Sequence, residues 1–325
     1  MTISIPLHMF EPLQVAYFLV LAGVLGACAA SFVNNLAWRM VRGKSALKGR
    51  SECSQCGHKL GALDLVPILS WLFLRGKCRY CKARISARYI VVEVITAVVF
   101  VLIAWHYGLS IQTLAYFFLA SILLGVLLVD IETMTIPNGF IIAGIIVWVA
   151  SVWFIRPPLV GFGIGSMFVG SFGYGFLAVL IDGLAGAFAI GGGMLVFATL
   201  FDKITGRNSL GGGDVKLFFM VGLYLGVAAG FFNLLLSCIL GLVFSFVWIA
   251  SGAAEKQDAA LNSDAEGEKA AEAPEADAKN TDSAEQEHTS AAKKAFPFGP
   301  AIVVSTILTL LVGFQFVTWY IDLLL

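Results

Sequence analysis

The sequence predicts an all-α polytopic membrane protein with about eight transmembrane helices and one small cytoplasmic loop domain. Three observations carry this reading. The 325 residues are 59% hydrophobic and only 13% charged, with a mean hydropathy of +0.88. Apolar runs of roughly 18 or more residues recur along the chain, each long enough to cross a bilayer. Four of the six cysteines form two CxxC pairs inside the most basic stretch. A formal net charge of zero argues nothing until charge is mapped along the chain, and nothing in the sequence points to nucleic acid.

The first 14 residues lack a basic n-region, and the apolar run that follows leads into a charged loop, so it reads as a first membrane span (domain 1–37) and not as a cleavable signal. Ser31, Asn34 and Asn35 near its far end either pack helices or line a wet cavity. The next domain, 38–88, is polar. It holds Arg39, Arg42, Lys44, Lys48, Arg50, Lys59, Arg75, Lys77, Arg79, Lys82, Arg84 and Arg88, more than half of the 21 Lys and Arg of the chain. Only Glu52 and Asp64 oppose them. The positive-inside rule makes this loop cytoplasmic, and its excess charge suits anionic membrane lipid headgroups.

From that anchor the spans of a membrane core, 89–251, thread in turn. Spans are expected at 89–105, 111–129, 140–155, 174–200, 215–229 and 233–250. Residues 156–173 form an outer segment rich in Gly and Pro, and Pro137 breaks a short inner turn. Residues 252–295 are rich in Ala, Glu, Asp, Lys and Ser, and read as a disordered acidic cytoplasmic linker. Residues 296–325 hold the last span. This threading puts Asp130 and Asp214 on the cytoplasmic face.

Cys53-x2-Cys56 and Cys78-x2-Cys81 carry the first chemistry. Two such turns supply four thiolates at a bite that suits tetrahedral zinc. A reducing compartment disfavours disulfides there. Four ligands leave no open position, so the zinc is expected to be structural, stabilising a loop with little core of its own. Cys28 and Cys238, alone in apolar runs, read as small buried hydrophobes.

The second constellation pairs Asp130 with Gly211-Gly212-Gly213-Asp214-Val215-Lys216. Two carboxylates around one water can hydrolyse a peptide bond when they share a proton. The glycines leave backbone uncovered for close approach of another chain. The plainer alternative is two helix-terminal aspartates at headgroup level, with Asp214 favoured by a helix dipole. Glu93, Glu132, Asp182 and Asp202 are other acids near the membrane. Phe296-Pro297-Phe298-Gly299-Pro300 reads by composition only as punctuation before the last helix.

These stretches together resemble the type IV prepilin peptidases, membrane aspartic peptidases with a GxGD motif. The likeness runs through Ser31-Phe32-Val33-Asn34-Asn35, the tetracysteine loop, Asp64 to Leu72, Leu74 to Cys81, Ile85 to Tyr89 with Glu93, Asp130 with Ile136-Pro137, Gly211 to Leu217, and Pro297 to Pro300. It implies a bacterial inner-membrane enzyme with its active site facing the cytoplasm. Such an enzyme cleaves the basic leader from type IV prepilins or type II secretion pseudopilins and N-methylates the new N-terminus with S-adenosylmethionine. The match gives Asp130 and Asp214 as catalytic, the four cysteines as metal ligands, and Gly211, Gly213 and Lys216 as supporting residues. Asn138 departs from the pattern, which often has Asp there, and the acidic insert is unusually long. A related GxGD peptidase acting on another membrane-anchored substrate is the competing enzyme. A zinc-stabilised scaffold or transporter is the competing non-enzyme, although a transporter would place its ionisable groups near the midplane.

Overall fold

The computed structural model describes residues 9–45, 51–53, 55–154, 176–206, 211–250 and 297–324. The expected outer segment 156–173 and acidic linker 252–295 lie outside the described residues. The protein is a multi-pass helical membrane protein. Its helices are α1 (Pro12–Val41), α2 (Leu69–Phe73), α3 (Arg88–Tyr107), α4 (Ile111–Thr133) and α5 (Asn138–Ser151), followed by α6 (Phe176–Gly186), α7 (Gly193–Thr205), α8 (Gly212–Ala250), α9 (Gly299–Leu308) and α10 (Phe314–Leu324). A π-helical turn, Ala187–Gly192, joins α6 to α7, and another, Thr309–Gly313, joins α9 to α10.

Six of the described helical runs are long and apolar enough to cross a membrane, and α5 is a shorter apolar helix. The count differs from the expected eight partly because 215–229 and 233–250 are one helical run. The change of direction expected near Asn233 falls instead at Gly226, whose φ of 70° and ψ of −170° are non-helical. That backbone region is open to glycine and costly for other residues, whereas Asn233 is wholly buried within the helix. Leu13, Val20, Val24, Leu242 and Phe246 are exposed around the bundle, which is the surface that lipid covers. Cys28 and Cys238 share this exposure and are not core residues as expected: in a bilayer, lipid chains accept apolar side chains as readily as a protein core does.

Helix α4 is the central post. Tyr116, Leu119, Leu123 and Val126 along it have 0% exposure, and it packs against α1, α3, α5 and α9. Ser110 caps its start by accepting the Thr113 N–H at 3.1 Å, satisfying a donor the helix cannot. Its end is closed by Met134 in the left-handed region, whose N–H donates to the Asp130 carbonyl at 2.8 Å. Asp130 is therefore held in the last turn of the most buried long helix among the described spans.

Without a hydrophobic effect between helices in lipid, close packing and internal hydrogen bonds hold a bundle together. The Phe100 and Phe117 rings stack 4.2 Å apart between α3 and α4. Tyr224 donates to the Gly144 carbonyl at 2.7 Å and Tyr107 to the Leu310 carbonyl at 2.6 Å. Helices α6 and α8 touch through bare backbone: a Cβ on Gly186 would stand 2.5 Å from the Gly222 carbonyl oxygen and 2.7 Å from Gly226 Cα. In the run Gly191-Gly192-Gly193, Gly191 packs tightly, against Phe219, while Gly192 and Gly193 face open space. Gly186→Leu should force the two helices apart and cost about 1–3 kcal/mol, read as a lower melting temperature of the detergent-solubilised protein, with Gly192→Leu as the silent control.

Candidate active site and metal centre

The loop between α1 and α3 is built from two similar knuckles. In the first, the Cys53 N–H donates to the His58 carbonyl and the Gly57 N–H to the Cys53 carbonyl, both at 2.9 Å. In the second, the Cys78 N–H reaches the Ala83 carbonyl at 2.8 Å and the Lys82 N–H the Cys78 carbonyl at 3.1 Å. Each closes with an isolated antiparallel bridge, Glu52 with Lys59 and Lys77 with Arg84. The residue after each second cysteine takes positive φ, 68° at Gly57 and 60° at Lys82. Glycine meets that demand without strain, and lysine does not.

The knuckles bring the four sulfurs within 4.8 Å of one another, with Cys53 and Cys81 at 3.9 Å. Thiolates in a tetrahedron about 2.3 Å from an ion stand roughly 3.8 Å apart, so the donor set fits a metal ion. Local fields favour this too. The Cys56 and Gln55 N–H groups pull the Cys53 thiol down to about 7. At Cys81 the Ala83 N–H favours the thiolate, but desolvation and the neighbouring sulfurs push the thiol up to about 11. Four clustered thiolates repel one another, and a divalent cation removes that penalty. The His58 and Tyr80 rings, 3.6 Å apart, tie one knuckle to the other.

Asp64 braces the assembly by accepting from Arg79 Nε at 2.7 Å, the Gly61 N–H at 3.1 Å and the Tyr80 hydroxyl at 3.4 Å. Desolvation raises its pKa, but these donors outweigh it and hold the carboxyl below its usual range. The resulting stability is present at neutral pH and is lost as pH falls through the lowered value. The loop then docks onto the helices. Glu93 Oε2 on α3 accepts the Ile68 N–H at 2.7 Å, Asn35 on α1 donates to Ser51 at 3.0 Å, and Arg88 pairs with Glu132 at the end of α4.

Asp130 and Asp214 come together at this same end of the bundle. Asp130 is only 4% exposed, and its charge is felt at the half-buried Asp214 carboxyl. The Gly299 N–H donates to Asp130 Oδ2 at 3.0 Å. A Cβ on residue 299 would lie 2.5 Å from that oxygen, so only glycine lets the α9 backbone reach the carboxylate. Gly213 at the start of α8 approaches Ile136, where a Cβ would sit 3.1 Å from Ile136 Cβ, while Gly212 is open. Lys216 Nζ donates to Asn138 Oδ1 at 3.0 Å, so the residue that departs from the family pattern still joins α5 to α8.

Of the residues expected from sequence, Asp130, Asp214, Gly213 and Lys216 thus share one locus, and Cys53, Cys56, Cys78 and Cys81 share another. Gly211 sits beside Asp214, with a Cβ position 3.3 Å from its Oδ2. Sequence reasoning missed the role of Gly299, which composition marked only as a helix start. It also left Glu93 as one acid among several.

Two family models tile the chain. Residues 24–107 match the bacterial peptidase A24 N-terminal domain, and residues 117–246 match the type IV leader peptidase family. The chain belongs to the type IV leader peptidase family. A Pseudomonas putida relative is 34% identical over 42% of this chain and 55% of its own length. One from Neisseria gonorrhoeae is 29% identical over 70% of this chain and 81% of its own, and one from Bacillus subtilis is 28% identical over 93% and 97%. Each is named a prepilin leader peptidase/N-methyltransferase. The matched stretch thus spans about half of the Pseudomonas protein, 55%. No solved structure matches the chain significantly.

For this leader peptidase family member, Cys53→Ser should lower the metal content of the purified protein, measured by elemental analysis, and loosen hydrogen-exchange protection across 51–85. Acidification should release the metal as the thiolates take up protons. Lys82→Gly should retain the metal and raise loop stability by up to about 1 kcal/mol.

Proposed function

We propose that the protein is a bifunctional enzyme of the bacterial inner membrane that cleaves leaders from prepilins or pseudopilins and then N-methylates the new N-terminus. The observation that carries this is the meeting of Asp130 and Asp214 at one end of the helix bundle, with the Gly299 N–H on Asp130. Both relatives matched over most of their length carry names that include the two activities.

Two carboxylates that meet around one water share one proton. The unprotonated member takes a proton from a water molecule, whose oxygen attacks the scissile carbonyl carbon. The protonated member hydrogen-bonds the carbonyl oxygen as charge develops there, and the leaving amine takes a proton as the C–N bond breaks. The Gly299 hydrogen bond keeps an acceptor lone pair on Asp130 Oδ2, which favours Asp130 as the member that activates water. Burial at the end of α4 makes a second negative charge costly and so supports proton sharing. The freed amine would then take a methyl group from S-adenosylmethionine and lose a proton.

The metal that suits the four thiolates is zinc, in a closed structural site that takes no part in hydrolysis. The basic charge of the loop supports a cytoplasmic position for this face. The substrate's apolar helix would enter laterally between spans, with its basic leader kept off the equally basic loop.

Asp130→Asn and Asp214→Asn should each reduce cleavage of a prepilin by at least about a thousand-fold, an effect of the size seen when one member of a catalytic unit is lost, with membrane insertion intact. Near-normal cleavage by either variant, read by mass spectrometry of the products, would remove that residue from the mechanism. Gly299→Ala should lower kcat more than it raises KM, because the added Cβ displaces the Asp130 carboxylate without altering the path by which a substrate helix enters.

A further inference from the structure

Helix α2, Leu69–Phe73, turns its apolar face away from the loop that carries it. Leu69, Leu72 and Phe73 stand three and four residues apart, so they share one side of the helix. That side points outward: Leu69 is 49%, Leu72 59% and Phe73 81% exposed. Trp71 takes the inward side. Its Nε1 donates to the Ile85 carbonyl at 3.4 Å, and a Cβ on Gly76 would lie 2.8 Å from its ring. The short turn Ala62–Asp64 packs beside α2 and adds Leu63, also exposed. So many exposed large apolar residues in a small polar loop mark an interaction face.

The depth of α2 names what covers that face. The N–H of Ile68, directly before α2, donates to Glu93 Oε2 at 2.7 Å. Glu93 lies five residues into α3 from Arg88, which is about 7–8 Å along a helix axis. The helix α2 therefore begins beside the first turns of a membrane span and not out in water. Val91, Val94 and Ile95 on those same turns of α3 are exposed, so lipid already lies at this level. Ile68 has a φ of 61°, a region costly to a β-branched residue. The Glu93 hydrogen bond holds this strained entry to α2 in place.

Charge fits the same partner. Arg75 and Lys77 follow α2 at once and are exposed. Among the described residues the ion pairs join Lys44 to Glu52, Arg79 to Asp64 and Arg88 to Glu132. Neither Arg75 nor Lys77 belongs to one, and the carboxylate of Asp64 is already taken. An apolar helix face followed by unpaired cations suits the interface of an anionic leaflet, with acyl chains on one part and phosphates on the other.

We propose that α2 is an interfacial anchor. Leu69, Leu72 and Phe73 insert among the acyl chains of the leaflet on the loop's side, and Arg75 and Lys77 bind anionic headgroup phosphates. A second copy of the chain is a poorer occupant, because it would bring the same cations against this face. A basic leader would meet those cations too. Since α2 lies between the two cysteine pairs in the chain, its insertion keeps both knuckles close to the bilayer. Through Ile68 it also fixes the loop to α3.

The test uses the full-length, metal-loaded protein in nanodiscs. These contain phosphatidylcholine alone, or phosphatidylcholine with an equal share of phosphatidylglycerol, and a trace of phospholipid bearing a diazirine on its acyl chain. Illumination and peptide mass spectrometry map acyl contacts, and hydrogen exchange follows the amides of 69–77. Adducts are expected within 69–73 and, as the internal control, around the exposed Leu242 and Phe246. Exchange should slow by about five-fold or more when phosphatidylglycerol is present, the effect of one basic residue at an anionic surface. Leu72→Ser with Phe73→Ser should lose the α2 adducts. Arg75→Gln with Lys77→Gln should keep adducts in phosphatidylcholine and lose the response to phosphatidylglycerol. All four side chains are exposed, and an unchanged melting temperature in detergent reports that both variants fold. Adducts at Leu242 and Phe246 with none in 69–73 would overturn the proposal. So would protection of α2 that ignores lipid charge and follows protein concentration or added prepilin, which would give the face to a second copy or to substrate.

Discussion

The hydrogen bond from the Gly299 N–H to Asp130 Oδ2 ties the last helix of the bundle to its central one. Around it the geometry has little freedom. Asp130 ends a helix whose inner face is buried along its length against its neighbours, which limits any shift of the carboxylate by movement of its helix. The donor is a backbone N–H at the start of α9, one of the groups that no turn of that helix can satisfy. A side chain at residue 299 would occupy the space of the carboxylate itself. The result is a carboxyl group held at low exposure by a backbone donor.

The loop domain solves a different problem. It is small, basic and short of apolar core, and it uses sulfur geometry in place of burial. Its repeated knuckle explains the CxxC spacing: each turn needs a left-handed residue straight after its second cysteine, met by Gly57 in one copy and by Lys82 in the other. The loop is not an appendage, because Glu93 and Asn35 of two different helices hold it. Those same anchors line a cavity of about 1310 Å³ beside the loop, so the loop's docking and the cavity's existence are one structural fact.

Much of the site was legible before any coordinates. Asp130 and Asp214 end or begin apolar runs, and charges at such boundaries are expensive enough to stand out. The cysteines announced their pairing by spacing alone. Gly299 was not legible, because a glycine that admits a backbone donor and a glycine that begins a helix look the same in one dimension. Glu93 was visible as an acid near a membrane but had no distinguishing mark, since its partner is the main chain of Ile68, 25 residues away in sequence. Lys216 could be placed near Asp214, whereas its bond to Asn138 across 78 residues could not be foreseen.

By itself the sequence determined that the chain is helical and membrane-spanning, that one loop carries four thiols at a spacing that suits a metal ion, and that two aspartates lie at span ends. Each of these follows from local composition and spacing, where hydropathy and residue type act within a window of a few turns. Tertiary structure decided which ends of which helices meet, where α8 breaks, and that a cavity exists at all. Those outcomes depend on backbone approach between segments far apart in the chain: the break falls at Gly226 and not near Asn233 because only a positive-φ glycine permits it there. Close approach is set by what is missing from a side chain, and a linear sequence does not say what the missing atoms would have met.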